Sequence, residues 1–117
     1  MLSPVYLFLT GIGLLYSDSL IFLPPAASYQ NTADLINIRS QSSLEPDTKN
    51  LIVARFLYNP DARYTILYSH GNAIDIGQLK HLQSRFYKNC YSIIVYDYSG
   101  YGLSSSEASE QQVYNDV

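Results

Sequence analysis

Two short stretches hold most of the residue types that could do chemistry. The first, ILYSHGNAIDIGQL (Ile66 to Leu79), sets a His-Gly-Asn-Ala turn between an apolar strand-like run and a helix-like one. A glycine at such a corner lets the backbone turn sharply with its N–H groups free, and N–H groups so placed can hold a developing oxyanion. The turn is therefore a candidate for half of an oxyanion hole. The second stretch, DYSGYGLSSSEA, begins at Asp97 and is rich in glycine and serine. Asp97 has the look of a triad acid in isolation, and Gly102-Leu103-Ser104 is half of a G-x-S-x-G nucleophile motif whose second glycine position is occupied by Ser106. His70 is a candidate base, although a base needs a nucleophile within reach. His81 falls on the surface of the helix that follows. No pair of residues has metal-ligand spacing, and neither a metal nor a cofactor is expected.

These stretches must be positioned by the elements around them. LINIRS (Leu35 to Ser40) alternates as a half-buried strand does, and LIVARFLY (Leu51 to Tyr58) is a second strand rich in branched residues. Between them QSSLEPDTKN is polar and turn-forming. NPDA (Asn59 to Ala62) is a tight-turn sequence, so YTILYS (Tyr64 to Ser69) is expected to return as a hairpin partner or sheet neighbour of the strand before it. Asp75 with Gln78 three residues on marks a capped helix start. Ile76, Leu79, Leu82 and Phe86 then share a face, with Lys80, Gln83 and Arg85 largely away from it, and the helix ends near Asn89. YSIIVY (Tyr91 to Tyr96) is apolar throughout, as in a strand of a parallel sheet covered on both faces. Strand, helix, strand makes a crossover unit. Ser109 with Gln112 signals a second helix. Both candidate loops leave the carboxyl ends of their strands, the edge where open α/β sheets place ligands.

Composition narrows the class. The 117 residues allow one small domain, and 47% hydrophobic with 15% charged residues is the balance of a folded chain. Seven basic against ten acidic residues give a net charge of −3, so there is no electrostatic footprint for nucleic acid. The twelve tyrosines fall mostly in strand-like runs, where they suit core and rim packing. Cys90 is alone, which excludes an internal disulfide, and reads as a buried small hydrophobe.

The amino terminus is different. PVYLFLTGIGLLY (Pro4 to Tyr16) carries no charge, and Asp18 follows. A spanning helix needs about 20 apolar residues, and no Lys or Arg precedes the run as in a secretory signal. Three readings stay open: a short membrane anchor, a weak signal peptide, or a helix packed on the body. Leu23-Pro24-Pro25 must end any helix. The expected division is an apolar segment over 1–23 and an α/β domain over 24–117.

FLPPAASY, YSHGNAIDIGQL, VYDYSGYGLSS and SEQQVYNDV, in that order and spacing, resemble the α/β-hydrolase superfamily, and within it the membrane-associated serine hydrolases related to Bem46 and the ABHD17-type depalmitoylases. The likeness runs from Phe22 to Val117. It implies an oxyanion loop at His70, Gly71, Asn72 and Ala73, with the backbone N–H groups of Asn72 and Ala73 as donors and a second contribution from the residue after the nucleophile. It further implies that Asp97, Gly100, Gly102 and Ser104 shape a loop, because the family's nucleophile belongs on a fifth strand, with acid and histidine later still. All three triad positions are then absent from these 117 residues. In the family's sheet the third strand lies between the fourth and fifth, which leaves YTILYS as an open edge. The resulting expectation is the amino-terminal part of an α/β-hydrolase sheet: four strands, one crossover helix, the start of a second, and an apolar helix in front. The parent activity would be serine-dependent hydrolysis of an ester or thioester, acyl-protein or lipid-like. A complementing carboxyl-terminal hydrolase polypeptide and a membrane are the expected partners. The rival reading is a non-catalytic membrane-associated module that binds a partner through its open sheet edge.

Overall fold

Branched and aromatic runs separated by turn residues become strands because alternate side chains can be buried against a shared face. A computed structural model describes residues 3–40, 50–105 and 112–114. Its elements are α1 (Pro4–Ile21), β1 (Leu35–Ser40), β2 (Asn50–Leu57), β3 (Thr65–Ser69), a 3-10 turn (Ile76–Leu79) running into α2 (Lys80–Lys88), and β4 (Ser92–Tyr96). A helical stretch follows at 112–114. Ser106 and Ser109 lie outside the described residues.

The four strands form one mixed sheet in the order β1-β2-β4-β3. β1 pairs antiparallel with β2, β2 antiparallel with β4, and β4 parallel with β3. This corrects the expectation that β3 returns beside β2. The Asn59–Ala62 turn carries the chain past a vacant lane, and β4 fills it after the crossover. β4 is central, so its residues are the most buried of any strand, as its unbroken apolar character requires. β3 is the edge.

One sheet face carries the main core: Val53, Ile93 and Val95 pack with Ile76, Leu79 and Tyr29. The opposite face holds Ile52, Ala54 and Tyr96, with Ile94 and Tyr98 against them. By register Ile36, Ile38, Phe56 and Leu67 share that second face, and all four are exposed.

Asp75 caps the helical segment as its spacing predicts, its carboxylate accepting from Gln78 N. The expected face is the one that packs, with Ile76 and Leu79 in the main core and Leu82 and Phe86 against it, and Lys80 and Arg85 are exposed; Gln83 alone departs, buried at 3% exposure rather than turned to solvent. The first four residues wind as a 3-10 turn, which advances about 120° per residue instead of 100° and so widens the buried face enough to take in Gln83. His81 is exposed as expected.

Cys90 is exposed, contrary to the reading of it as a buried hydrophobe. It closes α2 with φ of 59°. Its N–H donates to Tyr87 O at 3.1 Å and that of Tyr91 to Phe86 O at 3.1 Å, the bond pair of a Schellman motif.

α1 is a single helix through Asp18 to Ile21, longer than the run to Tyr16, with Pro4 in its first turn and no buried residue. Among the described residues it is the one helix long and apolar enough to cross a membrane by length and composition. Being apolar all round, it lacks the polar face a soluble surface helix needs.

Candidate functional site

Parallel pairing decides where the two candidate loops meet. Ser69 is in register with Tyr96, so the next residues, His70 and Asp97, emerge side by side at the carboxyl edge. Both side chains are fully buried, with His70 Nε2 3.0 Å from Asp97 Oδ1. Nε2 makes no hydrogen bond among the described residues. The opposite ring nitrogen, Nδ1, lies 2.8 Å from Gly71 O. Tyr98 and Tyr101 close on the imidazole with ring centroids 4.6 and 5.6 Å away. Burial raises both tyrosine hydroxyls above their ordinary range, and the neighbouring Tyr96 adds to the effect on Tyr98.

Asp97 is the hub of the site. Oδ1 accepts from Ile76 N at 2.9 Å and Oδ2 from the Tyr29 hydroxyl, which ties the β3 loop and the segment after α1 to one carboxylate. Burial, then the hydrogen bond to Asp97, holds the Tyr29 hydroxyl far above the usual tyrosine range. Gly102 sits at φ of 53°, and a Cβ there would overlap Asp97 Oδ2. Gly100 has φ of 81°. Ser104 Oγ donates to Asp97 O at 2.8 Å and accepts from Val53 N at 2.9 Å, while Ser105 N bonds Leu51 O at 2.9 Å. This loop thus continues the ladder along β2 beyond the end of β4. In that position Ser104 Oγ has its proton and a lone pair engaged by backbone groups, an arrangement of a bracing hydroxyl rather than an activated one.

The His-Gly-Asn-Ala loop is held from several sides. Asn72 Nδ2 donates to Ile21 O, and Asn72 Oδ1 accepts from Leu23 N at 3.1 Å, Tyr101 Oη at 2.5 Å and Ala73 N at 2.9 Å. The Ala73 N–H therefore points at its neighbour's side chain, and of the two expected donors only the Asn72 N–H has no acceptor among the described residues. The left-handed residue is Ala73, with φ of 63°, and not Gly71. A Cβ on Gly71 would meet nothing within 4 Å. The space Gly71 leaves is open to an approaching group, the other use of a glycine in a loop.

Three residues that sequence reasoning passed over complete the site. Ser28 N and Oγ both donate to Asp75, Tyr29 caps Asp97, and Gly77 leaves room for that strap, since a Cβ there would overlap Ser28 Oγ and stand 3.0 Å from Tyr29. The strap is within FLPPAASY, the one hint the sequence offered. Among the described residues no group of three His, Cys, Asp or Glu could hold a metal ion.

A mixed sheet with one antiparallel partner strand, a crossover helix and two loops joined at the carboxyl edge defines an α/β fold of the hydrolase type. The curated relatives agree. The chain is 37% identical to alpha/beta hydrolase domain-containing protein 17B of Xenopus tropicalis over 86% of its own length and 43% of the relative's. It is 34% identical to alpha/beta hydrolase domain-containing protein aho-3 of Caenorhabditis elegans over 86% of its length and 36% of the relative's. Over half of its length it is 52% identical to the human domain-containing protein 17C. No family model matches, and no solved structure does. The chain belongs to the α/β-hydrolase family, in the domain-containing 17 branch, and spans about two fifths of the length of the 17B and aho-3 relatives, matching their amino-terminal portion.

Proposed function

We propose that these residues form the amino-terminal, oxyanion-bearing part of a membrane-associated serine hydrolase that cleaves an ester or thioester. The observation that carries the proposal is the loop at His70–Ala73. It stands at the carboxyl edge of β3, is braced by Asn72 and by the buried His70–Asp97 contact, and keeps one backbone N–H without an acceptor among the described residues, beside an open glycine. An oxyanion donor needs that combination of fixed direction and free hydrogen. Asp97, Gly100, Gly102 and Ser104 shape the loop and do not react. The nucleophile and the remaining triad members come from hydrolase sequence that pairs with the β3 edge, and the exposed apolar face around Ile36, Ile38 and Leu67 is what that sequence covers. α1 enters the membrane: 18 residues at about 1.5 Å each reach about 27 Å, close to the ~30 Å of a hydrocarbon core.

The test is reconstitution. The chain is co-expressed with the remaining portion of a domain-containing 17 relative and treated with a fluorophosphonate probe. Labelling that requires both polypeptides and maps to the added one supports the reading. Stoichiometric labelling of Ser104 in the 117-residue chain alone would overturn it. For the membrane arm, liposome sedimentation of the chain and of a version starting at Pro24 must differ.

The open β3 edge also favours a second reading, a non-catalytic module that binds its partner there. A frame downstream of the Val117 codon that continues into G-x-S-x-G within about one βα unit discriminates in favour of the hydrolase.

A further inference from the structure

Three consecutive peptide units of the His-Gly-Asn-Ala loop are each held by a different side chain. The carbonyl of His70 accepts from Tyr98 Oη at 2.8 Å. That of Gly71 stands 2.8 Å from His70 Nδ1, and the N–H of Ala73 donates to Asn72 Oδ1 at 2.9 Å. The middle unit carries the Asn72 N–H, the donor without an acceptor among the described residues. A peptide is planar and trans, so its C=O and N–H point in opposite directions and whatever fixes one aims the other. Gly71 sits on the amino side of this unit and has no Cβ to oppose its turning over. The direction of the free N–H is therefore set by the group on the Gly71 carbonyl rather than by backbone sterics. A carbonyl oxygen only accepts, so the contact requires the proton on His70 Nδ1. The ring is kept from swinging away by Tyr98 and Tyr101 on its faces and by Asp97 beside Nε2.

We propose that His70 is a positioning residue acting through the Gly71 carbonyl: its Nδ1–H bond turns the Gly71–Asn72 peptide so that the Asn72 N–H faces the developing oxyanion. The role toward the oxyanion rests on the hydrolase reading; the clamp on the peptide does not. A histidine that only filled space beside Asp97 would show no preference for where a replacement carries its donor. Asparagine places its amide nitrogen where Nδ1 lies, and glutamine reaches the position of Nε2. The two replacements thus separate the Gly71 clamp from the Asp97 contact.

The test compares the full chain with its His70→Asn and His70→Gln variants, ¹⁵N-labelled in a zwitterionic detergent and again after co-expression with the remaining portion of a domain-containing 17 relative. In the parent, the His70 ring should carry its proton on Nδ1, and the Gly71 and Asn72 amides should show no microsecond-to-millisecond exchange in relaxation dispersion. His70→Asn should behave like the parent, and His70→Gln should introduce exchange at both amides. Fluorophosphonate labelling of the reconstituted pair should slow by less than about threefold with asparagine and by about 100-fold or more with glutamine, the loss that follows removal of one oxyanion donor. A parent Nδ1 without its proton overturns the proposal even where neither variant folds, and so does equal behaviour of the two variants. If the glutamine pair labels as fast as the parent despite exchanging amides, the proposal fails while the hydrolase reading stands. If the parent pair takes no label, that reading fails, and the ring proton and the amides alone judge the clamp.

Discussion

The side chain of Asn72 is hydrogen-bonded to both ends of the junction at which α1 stops, donating to Ile21 O and accepting from Leu23 N at 3.1 Å. The same amide oxygen accepts from Ala73 N, so one residue fastens the apolar helix to the loop proposed to hold an oxyanion. Asn72→Ala should uncouple them. Hydrogen exchange at Ala73 and Leu23 should speed up markedly, with about 1–2 kcal/mol lost from global stability, while liposome binding through α1 stays as it was. Unchanged exchange at both amides would show that backbone packing alone holds the junction.

Tyr29 and Asp97 give a pH signature. The folded state keeps the Tyr29 hydroxyl above its ordinary 10.0 by burial and by the Asp97 hydrogen bond. A raised folded value means that the contribution to stability is complete below pH 10.0 and is lost as pH climbs from there toward the folded value, because the unfolded chain ionises first. Tyr29→Phe should cost about 1.5–3 kcal/mol at neutral pH, the range for a hydrogen bond to a charged acceptor. Its stability should then fall less steeply than that of the parent above pH 10.0, as urea unfolding at several pH values would reveal.

Strand positions were legible in the sequence to within a residue because period-2 apolar patterning is local. LINIRS coincides with β1, and YTILYS and YSIIVY each overrun their strand by one residue. Strand order was not legible from the turn alone: Asn59–Ala62 has hairpin chemistry, and what separates β2 from β3 is a strand made thirty residues later. Gln83 was misplaced because a 3-10 turn changes the helical phase without changing composition. Of the site, the two loops stood out by their glycines. Tyr29 did not, because a tyrosine in a proline-bounded segment shows nothing of a carboxylate 68 positions away.

Cys90 occupies the left-handed position of the Schellman motif that ends α2, where glycine is the usual residue. A residue with a Cβ is disfavoured there by about 1–2 kcal/mol, partly offset by the greater unfolded-state freedom of glycine. Cys90→Gly should therefore raise stability by about 0.5–1 kcal/mol in chemical denaturation, and the side chain, being exposed, leaves no cavity behind.

Gly71 and Gly102 should respond in opposite ways to alanine. At Gly102 the positive φ and the overlap with Asp97 Oδ2 combine, so Gly102→Ala should cost about 3 kcal/mol or more. At Gly71 a methyl group has open space and an ordinary φ, so Gly71→Ala should change the melting temperature little, within about 0.5 kcal/mol. Its effect should emerge only in the reconstituted hydrolase, as slower probe labelling, if the space over Gly71 receives the reacting group.

Leu67 tests whether the β3 edge is the joining surface. β3 has β4 on one side and no strand on the other among the described residues, and Leu67 is 61% exposed on the face it shares with Ile36 and Ile38. Unpaired backbone beside exposed apolar side chains is a template for another strand. The chain from Pro24 to Val117, freed of α1, should thus self-associate in size-exclusion chromatography with light scattering. Leu67→Lys should reduce that association, because a charge on an edge strand opposes pairing while its stem still lies along the apolar surface. Ile66 would be the wrong choice, since it packs against the main core and a lysine there would confound folding with association. The same Leu67→Lys change should weaken reconstitution with the remaining hydrolase portion. If the Pro24 to Val117 chain is instead a stable monomer that unfolds cooperatively, the sheet is self-sufficient and the non-catalytic module becomes the better reading.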